Sequence, residues 1–334
     1  MAALATGCIV SPALASTGAD TATLAQVMDT ASMANKSVGD VVEAMKQWKL
    51  VMLVVSMVLV LALLFAGGLL RPGGYAKAGL RDVSRIPSVV WFFAAFVVIL
   101  AMQSAPQLVG QIQWVRDQEF NETQMQAINM VAQYVFGIIA GLGMLFMLKR
   151  SAESGDGEPK SGLGLSFLDV PVGLGCFVLA FPFIELMNML GVFAYTQTQG
   201  APPSGMGHPV LTMLSEQPEN GWVWAIVLAA VFGAPFVEEL VFRVFLQGAF
   251  LRWLRSPWLA IIISAILFAG VHRMGPTPQP WHTLVPVFAL GLASGVAYER
   301  TRRVGVPITI HVCFNALNVI LALMISAEAA PTGV

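Results

Sequence analysis

The sequence predicts an all-α, polytopic transmembrane helical bundle of about eight spans, and three observations carry that prediction. Of 334 residues, 57% are hydrophobic and 11% charged, whereas a soluble domain has roughly a quarter of its residues charged. Mean hydropathy is +0.74. Apolar stretches of about 20 residues, the length that crosses a bilayer as a helix, recur along the chain. The basic residues between them alternate in density, as the positive-inside rule requires of a correct set of spans. Barrel strands of about ten residues with alternating polarity are absent from this pattern. With a net charge of -1 and scattered basic residues, nothing favours nucleic acid as a partner.

In chain order, residues 1–48 form an extramembrane tail rich in Ala, Ser and Thr. Its start resembles the end of a secretory signal, with Ala13-Leu14-Ala15 as a small-x-small cleavage site, and holds a faint lipoprotein-like pattern ending at Cys8. A plain disordered or short amphipathic tail is the alternative. Three accessory spans fill residues 49–150: Leu50 to Leu70, about Pro87 to Val109, and about Met125 to Leu148. A polar linker follows at 151–162, and the remaining spans occupy 165–325. The fourth, about Phe167 to Tyr195, contains Pro171 and Pro182 and is long enough to tilt or break. After a loop with Pro202, Pro203, Pro209 and Pro218 come spans from Trp222 to Phe250, Pro257 to His272, Trp281 to Tyr298, and Val306 to Ile325. Arg71, Lys77, Arg81 and Arg85 follow the first span and Arg116 alone follows the second. The alternation continues to the C-terminus and places both termini outside the cytoplasm, in an inner or plasma membrane. Lys36, Lys46 and Lys49 in the tail run against it. Cys176 and Cys313 lie in apolar stretches without metal-ligand spacing and read as small buried hydrophobes.

Charge inside the fifth span is the functional signal. Phe236-Val-Glu-Glu-Leu-Val-Phe-Arg243 has apolar flanks, and an ionised side chain in hydrocarbon costs at least about 2.5 kcal/mol, so such residues face a bundle interior or a cavity. Glu239 and Arg243 share a helical face and suit a charge pair. Glu238 is turned about 100° away, free for proton transfer as a general base or acid. His272 ends the sixth span; His311 and Asn315 lie one turn apart in the eighth, placed to donate to one oxygen. A glutamate, a separate histidine and a His/Asn donor pair are the parts needed to activate water and stabilise an oxyanion. The bland reading is that these polar groups only tie helices together.

Glu238-Glu239-Leu-Val-Phe-Arg243, then Phe268-x-x-x-His272, then His311-x-x-x-Asn315 resemble, in order and separation, the signature motifs of the CPBP family. These are the CAAX-prenyl-protease-like and bacteriocin-processing or immunity proteins, also called Abi. The resemblance covers roughly 165–325. It implies an intramembrane endopeptidase acting on a membrane-associated protein or peptide, with the lipid bilayer as its surroundings. In it Glu238 is the general base on a water also held by His272, Glu239 and Arg243 organise the site, and His311 and Asn315 stabilise the oxyanion. Members of the family are described both as zinc enzymes and as glutamate enzymes without a catalytic metal; the zinc set here would be Glu238, His272 and His311. No His-Glu-x-x-His pair is present.

Two other functions compete. One is a non-catalytic membrane scaffold or bacteriocin-immunity-type binding protein. The other is a transporter, although spans one to four hold no matching charge except Glu185. Simple perpendicular helices would put His272 roughly 14 Å in depth from Glu238 and His311. The sixth span must therefore tilt, or begin below the edge of the hydrocarbon, to bring His272 to a shared cavity.

Overall fold

A computed structural model describes residues 48–68, 81–153, 161–203, 208–274 and 279–329. The tail readings, including the signal-like start and Cys8, lie outside these residues, as do Arg71, Lys77 and most of the polar linker. Seven described helices are long and apolar enough to cross a membrane. They are α1 (Trp48–Ala66), α2 (Ser88–Gln111), α3 (Glu122–Glu153), α4 (Asp169–Gln199), α6 (Gly221–Leu254), α8 (Trp281–Thr301) and α9 (Gly305–Ala329). Between them lie a short amphipathic helix α5 (Pro209–Glu216) and the 15-residue apolar helix α7 (Pro257–Val271). The chain is a multi-pass helical membrane protein. The sixth apolar segment is a helix too short to span alone, which is why seven long helices stand where about eight spans were expected.

Residues 1–59 and 60–334 form two compact units. In the first, α1 begins as an apolar helix whose side chains are largely exposed. In the second, α6 is central: 56% of its apolar stretch is buried, followed by 50% for α8. Helices α2 and α3 pack on α6 as well as on each other, so these accessory helices share one core with the segment that carries the glutamates. Close approach is made through small residues. A side chain at Gly137 would meet Val237 Cγ1 at 3.0 Å, and one at Gly141 would meet Leu240 Cδ1 at 2.7 Å.

Local signals fix the helix ends. Asn220 Oδ1 accepts from Trp222 N at 3.0 Å to start α6, and Ser256 Oγ accepts from Leu259 N at 3.4 Å to start α7 with Pro257 in its first turn. Gly200, at φ +76°, ends α4 in the left-handed conformation that glycine adopts without strain. The fourth span does not break. Pro171 falls in the first turn of α4, where no amide bond is lost, and the helix continues through Pro182 for 31 residues. α5 was not visible in the sequence, where its residues read as a proline-rich loop. Pro209 and the capping His208 start this helix, and Val210 and Leu214 bury its apolar face beside α6 and α9.

Candidate active site

α6 is not a uniform α-helix. Two π-helical stretches, Ala229–Gly233 and Leu240–Leu246, flank the α-helical turn Ala234–Glu239 that carries both glutamates. Each π-turn widens the helix and loosens the i to i-4 ladder, a distortion that occurs often at functional sites. Neighbouring helices occupy the carbonyls of both stretches. Asn315 Nδ2 donates to Ala230 O at 2.8 Å, and Ser264 Oγ donates to Phe242 O at 2.6 Å. The glutamate turn is thus fastened above by α9 and below by α7.

The two glutamates differ as their positions on the helix require. Glu239 is fully buried, with Oε2 3.0 Å from Arg243 Nε and Oε1 2.9 Å from His311 Nδ1. The Glu238 side chain is 22% exposed, and its Oε2 stands 3.9 Å from His311 Nε2. Because a carboxylate can only accept, the contact with Glu239 puts a proton on His311 Nδ1 and turns Nε2 toward Glu238. The Glu239–Arg243 pair was legible at i, i+4; the role of Glu239 in orienting His311 was not, because 72 residues separate them.

Phe268 is the hub of the site. The Arg243 guanidinium lies 4.2 Å over its ring, and the His272 and His311 rings meet it edge-on at 5.1 and 5.5 Å. The Ser264–Phe242 contact sets α7 antiparallel to α6, so His272 comes level with Ala234, about 6 Å along the helix from Glu238. α7 packs beside the end of α6, and the offset expected of perpendicular helices shortens accordingly. His272 Nδ1 donates to Phe268 O at 2.8 Å, leaving its Nε2 lone pair unused.

His311 and Asn315 share a helix face, but each already has a protein partner. One Asn315 N–H is engaged by Ala230 O, which leaves the second for a ligand. Among the described residues no three His, Cys, Asp or Glu side chains converge as cation ligands. Glu238 Oε2 and the Nε2 atoms of His272 and His311 are the donors that could hold a cation, since each imidazole is held through Nδ1 by an oxygen and leaves Nε2 unengaged.

One further residue was missed. His208, in the loop ahead of α5, is within electrostatic reach of His272. Burial, and secondarily the charge of His272, push its pKa down to about 4. Its Nδ1 accepts from Val210 N at 3.2 Å, so the neutral ring is the form that caps α5. The sequence signal was the His-Pro pair at a helix start.

Residues 220–317 match the family model described as Type II CAAX prenyl endopeptidase Rce1-like. The chain carries an Rce1-like domain over that part of its length. The match spans α6 to α9 and contains all six residues of the site as read from the sequence. The putative membrane peptidase YdiL of Bacillus subtilis (strain 168) is 33% identical over 98 residues, 29% of this chain and 37% of that protein. The UPF0177 protein YbdI of Lactococcus lactis subsp. lactis (strain IL1403) is 27% identical over 120 residues, 34% of this chain and 61% of its own length. The alignments thus reach less than two thirds of either relative. No solved structure matches the chain. α1 to α5 lie outside the Rce1-like domain, although Tyr134, Gly137 and Gly141 of α3 pack directly on its first helix.

Proposed function

We propose that the protein is an intramembrane endopeptidase that hydrolyses a peptide bond in a membrane-associated protein or peptide. The observation that carries this reading is the Glu239–His311–Glu238 arrangement. A buried carboxylate fixes the imidazole through Nδ1 and turns Nε2 toward a second carboxylate that a substrate can reach. The Rce1-like match and the similarity to a putative membrane peptidase support it.

In this mechanism Glu238 takes a proton from water as the water oxygen attacks the scissile carbonyl carbon. His272, whose Nε2 is unengaged, helps to orient that water. The negative charge that develops on the carbonyl oxygen is met by protonated His311 and by the second N–H of Asn315. Glu238 then returns its proton to the departing amine. Glu239 stabilises the imidazolium, and Arg243, beside Glu239 and over Phe268, holds the pair in register. No step passes through a metal, and no prenyl group on the substrate is required by these residues. The basic-residue pattern orients the chain with both termini outside the cytoplasm.

The test is Glu238→Gln in full-length protein in proteoliposomes, with cleavage of membrane-anchored quenched peptides as the readout. Turnover is expected to fall by about 100- to 10,000-fold, with membrane-inserted yield unchanged. Undiminished cleavage would remove Glu238 as the base. A scaffold or immunity-type binding protein would cleave nothing in either form.

A further inference from the structure

A cleft of about 770 Å³ runs along one face of α3, outside the Rce1-like domain. Polar residues line it at helical spacing, Glu122, Gln126, Asn129 and Gln133, together with Tyr134. These amides stand on a helix otherwise apolar enough to cross a membrane. No protein group among the described residues hydrogen-bonds the side chains of Gln126, Asn129 or Gln133. Gln133 lies eleven residues, about 16 Å, along the helix. Carboxamides at such depth are costly unless something pairs with them.

Tyr134, which lines the cleft, also packs on the helix that carries the glutamates. Tyr134 packs so closely on α6 that a side chain at Gly233 would meet its Cβ at 2.9 Å, and it lies within electrostatic reach of Glu238. α3 and α6 run parallel here, with Gly137 against Val237 and Gly141 against Leu240. The row of amides therefore leads along α6 from its beginning to the glutamate turn.

We propose that this cleft binds an extended peptide segment of the substrate and delivers it to Glu238. A carboxamide both donates and accepts, which matches the alternating N–H and C=O of an extended backbone. A helix of a second copy offers no such groups, because its backbone is satisfied internally. An anionic lipid headgroup would call for a cation, and among the described residues none lines the cleft. An extended chain in a membrane has unpaired backbone groups to offer, and it is also the form in which a peptide bond can be hydrolysed. The proposal deepens the endopeptidase reading and assigns substrate binding to a helix outside the family match.

The experiment uses full-length protein carrying Glu238→Gln, so that a captured peptide is not consumed, reconstituted in phosphatidylcholine vesicles. A photoreactive benzoylphenylalanine replaces Met130 on the cleft face or, as control, the exposed Ile139 on the opposite face. The probe is a pool of biotinylated, apolar-anchored peptides of randomised sequence. Peptide adducts are expected at position 130 at least about tenfold above those at 139. The triple variant Gln126→Leu, Asn129→Leu, Gln133→Leu should reduce them by at least about tenfold. Adducts only to lipid or to a second copy, equal labelling of both faces, or labelling unchanged in the triple variant would overturn the proposal. Labelling at 130 without cleavage by the Glu238 protein leaves the cleft standing and sinks the endopeptidase reading. Cleavage whose KM is unmoved by the triple variant does the reverse.

Discussion

Two fully buried ion pairs, both within residues 60–334, have opposite hydrogen-bond economies. At one end of α6, Arg81 Nε and NH2 donate to Glu299 Oε1 at 3.0 and 2.8 Å, and its NH1 donates to Tyr298 OH at 3.0 Å. Tyr298 in turn donates to Gly162 O at 3.0 Å, and Gln247 Nε2 adds a bond to Glu299 at 2.9 Å. This cluster ties the chain ahead of α2 to α6 and α8. In the glutamate site, Arg243 lies 3.0 Å from Glu239, yet its Nε, NH1 and NH2 make no hydrogen bond. Arg81, with all three of its nitrogens donating, is a fastening. Arg243 is held instead by its charge contact with Glu239 and by stacking on Phe268.

Arg81→Met gives the sharpest contrast. It leaves the buried Glu299 with Gln247 as its remaining partner and no counter-charge from Arg81, and should cost about 3–5 kcal/mol, seen as a lower melting transition in detergent, with turnover per folded molecule unchanged. A small stability change with lost activity would invert the assignment. Arg243→Met should cost less stability, about 1–3 kcal/mol, because Glu239 keeps His311 and Arg243 leaves donors unused. It should lower turnover by more than about tenfold by releasing Glu239 and His311. Equal melting shifts for the two variants would erase the distinction.

Gly162→Ala probes the fastening from the backbone. Gly162 sits at φ +77°, and a Cβ there would meet Arg81 Cδ at 2.6 Å. A loss of about 1–2 kcal/mol is expected from the left-handed conformation, with activity intact; the melting curve and turnover measured together decide it.

The smallest effect concerns the site's edge. His208 has its folded pKa pushed down to about 4 from an ordinary 6.5. The undocked histidine therefore binds a proton more readily. The stability it lends to α5 is fully present above 6.5 and is lost as pH falls toward 4. Hydrogen exchange across 208–216, corrected for intrinsic rates, should rise over that window. His208→Asn, which keeps a capping acceptor, should flatten it; persistence of the pH response in that variant would reassign it to another group.

The same contrast explains how far the sequence could be read. Glu239 and Arg243 sit four residues apart on one helix, so their pairing follows from helical geometry. Glu299 and Arg81 are 218 residues apart, and Arg81 read only as one basic residue in a cytoplasmic loop. His208 lies outside every apolar segment, so the hydropathy pattern gives no sign of it. Gln126, Asn129 and Gln133 drew no notice because uncharged amides barely disturb a hydropathy pattern.

By itself the sequence determined what depends on local chemistry. Apolar runs long enough for a bilayer must become helices, because only internal hydrogen bonds satisfy a backbone in lipid, and charges within them must turn inward. The order of the spans, the helical face of each glutamate and the family resemblance follow from residues close in the chain. Tertiary structure alone decided which partner each polar group took: Glu239 for His311, Ala230 for Asn315, Phe242 for Ser264. It also decided the packing of α7 on the end of α6 and the interposition of Phe268. These depend on the register between helices, which packing of side chains such as Gly137 on Val237 sets and which no periodicity within one helix encodes.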